Sequence, residues 1–293
     1  MPDQADSLRQ LIADAAPCTE IEAMGPPMIV VTGGKGGVGT TTVSLNLAAA
    51  LTHNGHRTVL VDLAHHADLA HLAGLDVGGD NTVTEIAAGK CSIADALQPG
   101  PAGTLLIAGS WAPADAPDWA PATLDRLLSQ LAELRDQVDV LIIDSGSGMS
   151  KWTHRLWQRA ALVLLVTTVE DVGIMDAYAT IKQADSGSCS PEIRVLVNRF
   201  EFATSAADAE RRIAAACRRF LGRTIRPAPR LPRCEDAGST IATVPRSWES
   251  PKSPFGRSVS QLGRFAADVL SRGSRPVVLC DSALTPIQEF SAC

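Results

Sequence analysis

Several features of membrane, secreted and metal-stabilised proteins are missing from this sequence. None of the seven cysteines forms a Cys-x-x-Cys pair, and the polar N-terminus lacks the apolar segment of a signal peptide. No apolar run approaches the ~18 residues that an α-helical membrane span needs. The scattered cysteines disfavour both a zinc ribbon and a disulfide scaffold. We therefore expect a cytoplasmic protein with reduced thiols.

Lysine and aromatic residues are also scarce. The 293 residues include five lysines against 21 arginines, and only 4% are aromatic. The net charge of -6 excludes a globally basic nucleic-acid-binding protein, although residues 199–275 carry 15 basic and seven acidic side chains. With 45% hydrophobic residues, the chain has enough apolar material for one large core or two modest ones.

Short apolar runs alternate with helical patterns along most of the chain. The runs predict strands at 28–33, 58–63, 104–109, 138–144, 162–168 and 194–199. They are continuous, which is typical of strands covered by helices on both faces. Helices are predicted at 40–53, 122–136, 173–185, 205–221 and 257–271. The alternation indicates an α/β fold with a doubly wound, mostly parallel sheet over residues 27–272. We interpret 1–26 as an extension with a short helix and a linker, and 273–293 as a mobile tail.

A glycine-rich loop follows the first predicted strand. It reads Gly33-Gly34-Lys35-Gly36-Gly37-Val38-Gly39-Thr40-Thr41-Thr42 and leads into the first predicted helix. Glycines let backbone amides turn toward a phosphate, and a helix N-terminus adds positive potential. Two motifs overlap here: the P-loop GxxxxGK[ST], with threonine in place of lysine at 40, and the dinucleotide-binding GxGxxG, with Asp62 as ribose acceptor. The Thr41 hydroxyl favours the P-loop, which needs such a group to bind Mg²⁺.

A lysine inside the loop helps to distinguish between the P-loop and the dinucleotide-binding motif. The segment GKGGVGTTT resembles the deviant Walker A motif, KGGxGK[ST][ST], of the MinD/ParA ATPases. Residues 144–148 resemble that family's switch II, and 167–182 resemble its TTPEP…ITDAYAxIK stretch. Residues 197–199 resemble its VNR segment, whose asparagine contacts adenine, and 231–236 lie where the family has an IPxD loop at the nucleotide base. Residues 3–9 match DQAxxLR. This last motif and DAYATIK are typical of the FlhG/FleN branch, which regulates flagellar number or placement.

The resemblance implies a ligand, a fold and partners. It implies a P-loop NTPase sheet of seven or eight strands, binding of ATP or ADP with Mg²⁺, and a homodimer formed on ATP binding. The implied nucleotide-binding residues are Gly34, Lys35, Gly36, Gly37, Val38, Gly39, Thr40, Thr41, Thr42, Asn198 and Arg199. Lys35, Asp62 and Asp144 are the implied catalytic residues, and Thr41 and Asp144 the implied Mg²⁺ residues. Residues 1–16 are expected to dock an FlhF-type GTPase related to signal-recognition GTPases, through Asp3, Gln4, Leu8 and Arg9.

Two departures from the family bear on catalysis. Thr40 replaces the P-loop lysine that bridges the β- and γ-phosphates, and Ala64 replaces the switch I aspartate that orients the attacking water. Loss of one charge-assisted contact costs about 1.5–3 kcal/mol, and phosphoryl transfer depends on positioning and charge stabilisation. We therefore expect a nucleotide-dependent switch that binds ATP with impaired hydrolysis. The alternatives are a pseudo-ATPase adaptor that docks the GTPase, a TadZ/CpaE-like pilus-locating protein, and a nicotinamide-dependent oxidoreductase without an evident substrate domain.

A single lysine and two clusters of side chains allow two interpretations each. Lys151, after switch II, is either a surface residue, which we favour, or a substitute for the lost positive charge. A histidine-rich cluster near switch I is either a metal site or, as we favour, a set of solvated side chains: His65, His66, Asp68 and His71. Four arginines, Arg211, Arg212, Arg218 and Arg219, are expected opposite the helix face formed by Ile213, Cys217, Phe220 and Leu221. They serve either solubility or weak contact with anionic membrane or DNA, and a membrane contact implies peripheral or cell-pole localisation.

Overall fold

A mostly parallel β-sheet forms the centre of the protein in the computed structural model, which describes residues 25–64, 68–74, 81–109, 121–184, 191–234 and 246–273. The strands in these ranges are β1 (Met28–Gly33), β2 (Thr58–Asp62), β3 (Gln98–Pro99), β4 (Leu105–Ile107), β5 (Val140–Ser147), β6 (Leu162–Thr167), β7 (Ile193–Phe200), β8 (Arg226–Pro227) and β9 (Leu231–Pro232). Their order is β3-β4-β2-β5-β1-β6-β7-β8, and β9 also pairs with β7. Among these strands, only β3 and β4 pair antiparallel.

Helices cover both faces of this sheet. Within the described ranges they are α1 (Thr40–His53), α2 (Asp68–Ala73), α3 (Val83–Ala88), α4 (Ile93–Ala96), α5 (Pro121–Ala132), α6 (Lys151–Arg159), α7 (Asp171–Ala184), α8 (Ala203–Leu221) and α9 (Pro254–Gly273). Apolar residues of α1, α2 and α9 form the core on one face, and those of α3 to α8 form the core on the other. The molecule therefore has three layers, as a doubly wound α/β fold requires.

Each long strand contributes to both cores because successive residues of a strand point to opposite faces. In β1, Met28 and Val30 belong to the core that contains α7 and α8, whereas Ile29 and Val31 belong to the core that contains α1 and α9. All six residues of β1 are buried. Burial on both faces explains why the strands are continuous apolar runs in the sequence.

The predicted fold class is confirmed, and all six predicted strands are present. The described residues contain nine strands instead of the seven or eight expected, because β3, β8 and β9 have two residues each and leave no apolar pattern. Helix α1 has the predicted bounds, whereas α6 is not predicted by the sequence pattern.

Both ends of the chain lie outside the described residues. Residues 1–24 of the predicted extension (1–26) and residues 274–293 of the predicted tail (273–293) are not described, so both segments remain predictions, as do the docking residues Asp3, Gln4, Leu8 and Arg9. Within the described ranges, no helix combines the length and the apolar character needed to cross a membrane.

The carboxyl ends of the five central parallel strands meet at one edge of the sheet. Strands β1, β2, β5, β6 and β7 all end there, in the order β2-β5-β1-β6-β7 across the edge. Open α/β sheets bind their ligands at this edge, outside the carboxyl ends of the strands. The fold thus brings together the glycine-rich loop after β1, the aspartates of β2 and β5, and the Asn198–Arg199 pair of β7.

Candidate functional site

The glycine-rich loop between β1 and α1 has the backbone shape of an anion-binding turn. Gly37 and Gly39 adopt left-handed conformations, with φ of 79° and 95°. Helix α1 begins directly after Gly39, and the first helical hydrogen bond runs from the Val43 amide to the Gly39 carbonyl. No described side chain caps this helix end, and its first turn contains no acidic residue. Free amides and the helix dipole therefore create positive potential at the loop.

Close neighbours leave no room for a side chain at two of the loop glycines. A Cβ at Gly34 would lie 2.7 Å from the carbonyl carbon of Asp176, in the second turn of α7. A Cβ at Gly39 would lie 2.6 Å from Nδ2 of Asn198. The loop is thus enclosed by α7 on one side and by β7 on the other, and the glycine spacing in the sequence reflects these two approaches.

The end of β7 holds the loop through two side chains. Asn198 is buried, and its Nδ2 donates a hydrogen bond to the carbonyl of Val38 over 2.9 Å. The Nη1 of Arg199 donates to the carbonyl of Gly37 over 2.8 Å. Both residues are expected from the family resemblance to bind the nucleotide. The structure places both side chains against the loop, with these bonds directed to its backbone.

Two buried aspartates lie side by side at the same edge, since Asp62 of β2 is paired in register with Asp144 of β5. One carboxylate oxygen of Asp62 accepts from the Ala64 amide at 2.9 Å, and the other accepts from the Leu69 amide at 3.2 Å. These bonds fold the chain after β2 and fix the carboxylate. Asp144 accepts from the Gly146 amide at 3.0 Å and thereby shapes the predicted switch II.

Switch II is also tied to the loop through the backbone. The Gly148 amide donates to the Gly33 carbonyl over 2.9 Å, and the Thr32 hydroxyl donates to the Gly146 carbonyl over 3.4 Å. Residues 144–148 therefore form one wall of the site. Any movement of this segment changes contacts at the start of the loop.

The threonines that follow the loop supply oxygen donors. Thr40, Thr41 and Thr42 form the first turn of α1 and are half-buried. Side-chain oxygens of Thr41 and Asp144 are hard donors of the type that Mg²⁺ prefers. This donor set fits a magnesium–nucleotide complex, whereas the hydroxyl of Thr40 cannot supply the positive charge of a lysine.

Glu170, just beyond the carboxyl end of β6, is a site residue that the sequence analysis does not select. Its pKa is lowered first by the Thr168 hydroxyl and then by its own amide and the positive charges of Lys35 and Arg199. This places an acidic side chain and two basic ones at the rim of the loop. The sequence does contain a feature that could identify Glu170, namely an acidic residue two positions after Thr168.

The remaining sequence candidates lie elsewhere or are not described. Lys151 is exposed at the first residue of α6. His65 and His66 and the side chain of Asp68 lie outside the described residues, and His71 is exposed on α2. Across the described ranges, no three His, Cys, Asp or Glu residues are grouped to hold a metal.

Comparison with known proteins connects this geometry to a family. The family model described as the CobQ/CobB/MinD/ParA nucleotide binding domain matches residues 29–241. The chain belongs to this family. Its match covers the loop, both aspartates, Glu170 and the Asn198–Arg199 pair, so every part of the site described above lies within the CobQ/CobB/MinD/ParA domain. The predicted resemblance to the MinD/ParA ATPases is thereby confirmed.

Among the relatives of this CobQ/CobB/MinD/ParA protein, one is named as an antiactivator and another as a flagellum site-determining protein. The antiactivator FleN of Pseudomonas aeruginosa is 35% identical over 175 residues, which are 58% of this chain and 61% of FleN. The flagellum site-determining protein YlxH of Helicobacter pylori is 27% identical over 199 residues, or 62% of each chain. The chain thus spans about three fifths of the length of these curated relatives.

Solved structures agree with the fold. The septum site-determining protein MinD from Pyrococcus horikoshii, complexed with Mg-ADP, superposes with a TM-score of 0.69 at 18% identity, covering 85% of this chain and 99% of MinD. The cell division ATPase MinD from Pyrococcus furiosus gives a TM-score of 0.68 at 20% identity, covering 83% and 99% of the two chains. The α/β sheet of this CobQ/CobB/MinD/ParA protein is therefore that of the MinD-type P-loop NTPases.

Proposed function

We propose that this protein is a nucleotide-dependent switch of the MinD/ParA type that binds ATP or ADP with Mg²⁺ and hydrolyses ATP poorly. The observation that supports binding most strongly is the loop itself: two left-handed glycines lead into an uncapped helix N-terminus, and close neighbours at Gly34 and Gly39 exclude side chains. Within a nucleotide-binding domain family, amides arranged in this way serve to hold phosphates.

Each residue then has a defined part in binding. The loop amides and the N-terminus of α1 receive the phosphates, and the oxygens of Thr41 and Asp144 hold Mg²⁺, which screens the phosphate charge. Lys35, at the rim beside Glu170, supplies positive charge to the phosphates and, in the proposed ATP-bound homodimer, reaches those of the partner subunit. Asp62 keeps the chain after β2 folded through the amides of Ala64 and Leu69.

Poor hydrolysis follows from two side chains that are absent. Thr40 offers a hydroxyl where a lysine would stabilise charge on the transferred phosphoryl group, and Ala64 offers no carboxylate to orient water. The missing lysine removes about 1.5–3 kcal/mol of binding, which corresponds to a factor of roughly 10–150 in affinity. The remaining amides still provide most of the phosphate contacts.

A titration of the intact chain with fluorescent ATP and ADP, with and without Mg²⁺, tests this proposal. We expect Mg²⁺-dependent binding, and we expect Thr40→Lys to tighten it roughly 10–150-fold while ATP turnover stays near background, because Ala64 is unchanged. His53→Lys is the matched control, since it adds the same charge at the exposed far end of α1. Absence of binding by both the unchanged protein and Thr40→Lys would refute nucleotide binding and favour the pseudo-ATPase adaptor. Robust hydrolysis by the unchanged protein would refute impaired catalysis.

The biological role that we propose is control of flagellar number or placement. It is supported by the similarity to FleN and YlxH, over about three fifths of their lengths, and by the sequence motif at residues 3–9. Expression of the chain in Pseudomonas aeruginosa lacking FleN tests it. Restoration of the normal number of flagella supports the role, and an unchanged number contradicts it.

We also propose the partners that this role requires. An ATP-bound homodimer is supported by the rim position of Lys35, and docking of an FlhF-type GTPase by residues 1–16 is supported by their motif. The outer face of α8 supports a weak contact with an anionic membrane or with DNA. A membrane contact would lead to peripheral or cell-pole localisation. There Arg218 is exposed, and the Arg219 guanidinium lies over the Phe220 ring, 5.3 Å from its centroid.

The charge of this arginine surface is smaller than the sequence suggests. Arg211 pairs with Asp208 at 2.6 Å, and Arg212 pairs with Asp171 at 2.8 Å. On the opposite face, Ile213 and Cys217 are buried, whereas Phe220 is 64% exposed. Phe220 lies in the last turn of α8, where its ring makes a T-shaped contact with Tyr178, 6.3 Å between centroids, and the Arg219 guanidinium covers it. Any contact made by this surface should therefore be weak and sensitive to salt.

A further inference from the structure

We propose that Asn198 and Arg199 are positioning residues of the phosphate-binding loop, which orient the amides of Val38 and Gly39 toward the nucleotide. This inference rests on the nucleotide binding proposed above. It differs from the expectation based on the family resemblance, in which the asparagine contacts the adenine base.

The first argument comes from the geometry of the peptide groups. Asn198 holds the carbonyl of Val38, and Arg199 holds the carbonyl of Gly37. The peptide bonds of the described residues are trans, so the N–H of each peptide group points away from its carbonyl. Since both carbonyls are directed to β7, the amides of Val38 and Gly39 are directed to the opposite side of the loop. Fixing the two carbonyls therefore fixes two donors for a phosphate.

The second argument is the backbone conformation of Arg199. Its φ is 56°, a left-handed value that is unfavourable for a long side chain, and the β7–β9 pairing changes register between Asn198 and Phe200. Such a conformation is energetically unfavourable and persists only where the surroundings impose it. Here the kink directs successive side chains, Asn198 and Arg199, to successive carbonyls of the same loop.

The third argument is the fit between β7 and the loop. Nδ2 of Asn198 occupies the space that a Cβ of Gly39 would fill, and the Arg199 guanidinium lies 3.8 Å from that point. The charge of Arg199 also helps to lower the pKa of Glu170, which places this charge at the rim with Lys35. In a loop whose lysine position is Thr40, preorganised amides carry a larger share of phosphate binding.

The experiment compares binding of Mg·ATP, Mg·GTP and inorganic pyrophosphate to the full chain and to Arg199→Met, Arg199→Lys and Asn198→Ala. A positioning role predicts a loss of about 10-fold for all three ligands in Arg199→Met and Asn198→Ala, because the phosphates are shared. Arg199→Lys, which keeps a cationic donor, should recover most of the affinity. Arg272→Met removes an exposed arginine of α9 paired with Asp268 and should leave binding unchanged. Loss of ATP binding alone would show base contact and overturn the proposal.

Hydrogen exchange of the ligand-free protein separates this inference from the function on which it rests. If Arg199 fixes the loop, exchange of the Val38 and Gly39 amides should be about 10-fold faster in Arg199→Met than in the unchanged protein, while exchange in α9 stays the same. Failure of all ligands to bind the unchanged protein would refute the proposed function, and the exchange rates would still decide whether Arg199 positions the loop. Normal nucleotide binding with unchanged exchange in Arg199→Met would overturn the inference alone.

Discussion

Replacement of Gly39 by alanine offers a direct test of how the loop is constrained. Gly39 has a φ of 95°, and a Cβ at this position would lie 2.6 Å from Nδ2 of Asn198. Gly55, after the end of α1, has a φ of 91°, but nothing lies within 4 Å of the position of its Cβ. The two glycines thus share the same backbone requirement and differ in their neighbours, so Gly55→Ala is a matched control.

The structure gives the expected size of the difference. An alanine in the left-handed region costs about 1–2 kcal/mol of unfolding free energy in either variant. In Gly39→Ala, the methyl group must also displace the buried amide of Asn198 from the Val38 carbonyl, and an unsatisfied buried donor costs about 1–3 kcal/mol more. We therefore expect destabilisation of about 2–5 kcal/mol for Gly39→Ala and about 1–2 kcal/mol for Gly55→Ala.

Urea denaturation measures these free energies, and titration with fluorescent ADP measures the consequence for the site. Gly39→Ala should weaken nucleotide binding by at least 10-fold, whereas Gly55→Ala should bind like the unchanged protein. Equal destabilisation and equal binding in the two variants would refute the reasoning, because it would mean that the contact between β7 and the loop imposes no constraint.

Two further predictions concern stability and the basic surface. Arg57 lowers the pKa of Asp139 to about 2 through a bidentate salt bridge and its amide, so the carboxylate stabilises the fold above pH ~4 and loses this contribution as the pH falls toward 2. Because the Asp139 side chain is 35% exposed, Asp139→Asn should cost about 0.5–1 kcal/mol in urea denaturation at pH 7, and its difference from the unchanged protein should shrink as the pH falls through about 2 and vanish below it. On α8, conversion of four arginines to glutamate should abolish both sedimentation with anionic liposomes and binding to DNA at ~50 mM salt. In the unchanged protein, raising the salt to ~200 mM should abolish both interactions as well. The four are Arg211, Arg212, Arg218 and Arg219, and equal binding by both forms would reduce them to a solubility feature.

The sequence predicts the central strands and α1 because those elements are defined by local pattern. Burial of β1 on both faces produces an uninterrupted apolar run, and the glycine-rich loop marks the start of α1 at Thr40. The sequence pattern does not predict helix α6, because this helix has nine residues and only Thr153, Leu156 and Trp157 are buried. An apolar stripe of a single turn does not establish helical periodicity.

The composition of the site is more predictable than its contacts. The loop, both aspartates and the Asn198–Arg199 pair can be selected from motifs, and the fold brings them to one edge of the sheet. The bonds from Asn198 and Arg199 to the loop connect residues 160 and 162 positions apart, so no local pattern contains them. Glu170 is missed for a similar reason, since its importance depends on the approach of Lys35 and Arg199 from other elements.

The loop is more restrictive than a simple connection between a strand and a helix needs to be. A turn that bound no ligand would be more stable without left-handed residues and with a side chain that caps α1. It would also be more stable if Arg199 left a backbone conformation that costs of order 1–3 kcal/mol. The structure instead keeps α1 uncapped and uses Asn198, Arg199 and the backbone of α7 to hold the loop in place. Preorganisation of this kind gives a net benefit only when a phosphate uses the exposed amides, which reduces the entropy that binding must overcome. The site lacks two groups that would act on the transferred phosphoryl group, because Thr40 replaces the lysine of the loop and Ala64, after β2, replaces the carboxylate. In the proposed function, retained binding geometry without the groups for chemistry is what a switch requires when its state depends on the nucleotide it holds and changes slowly.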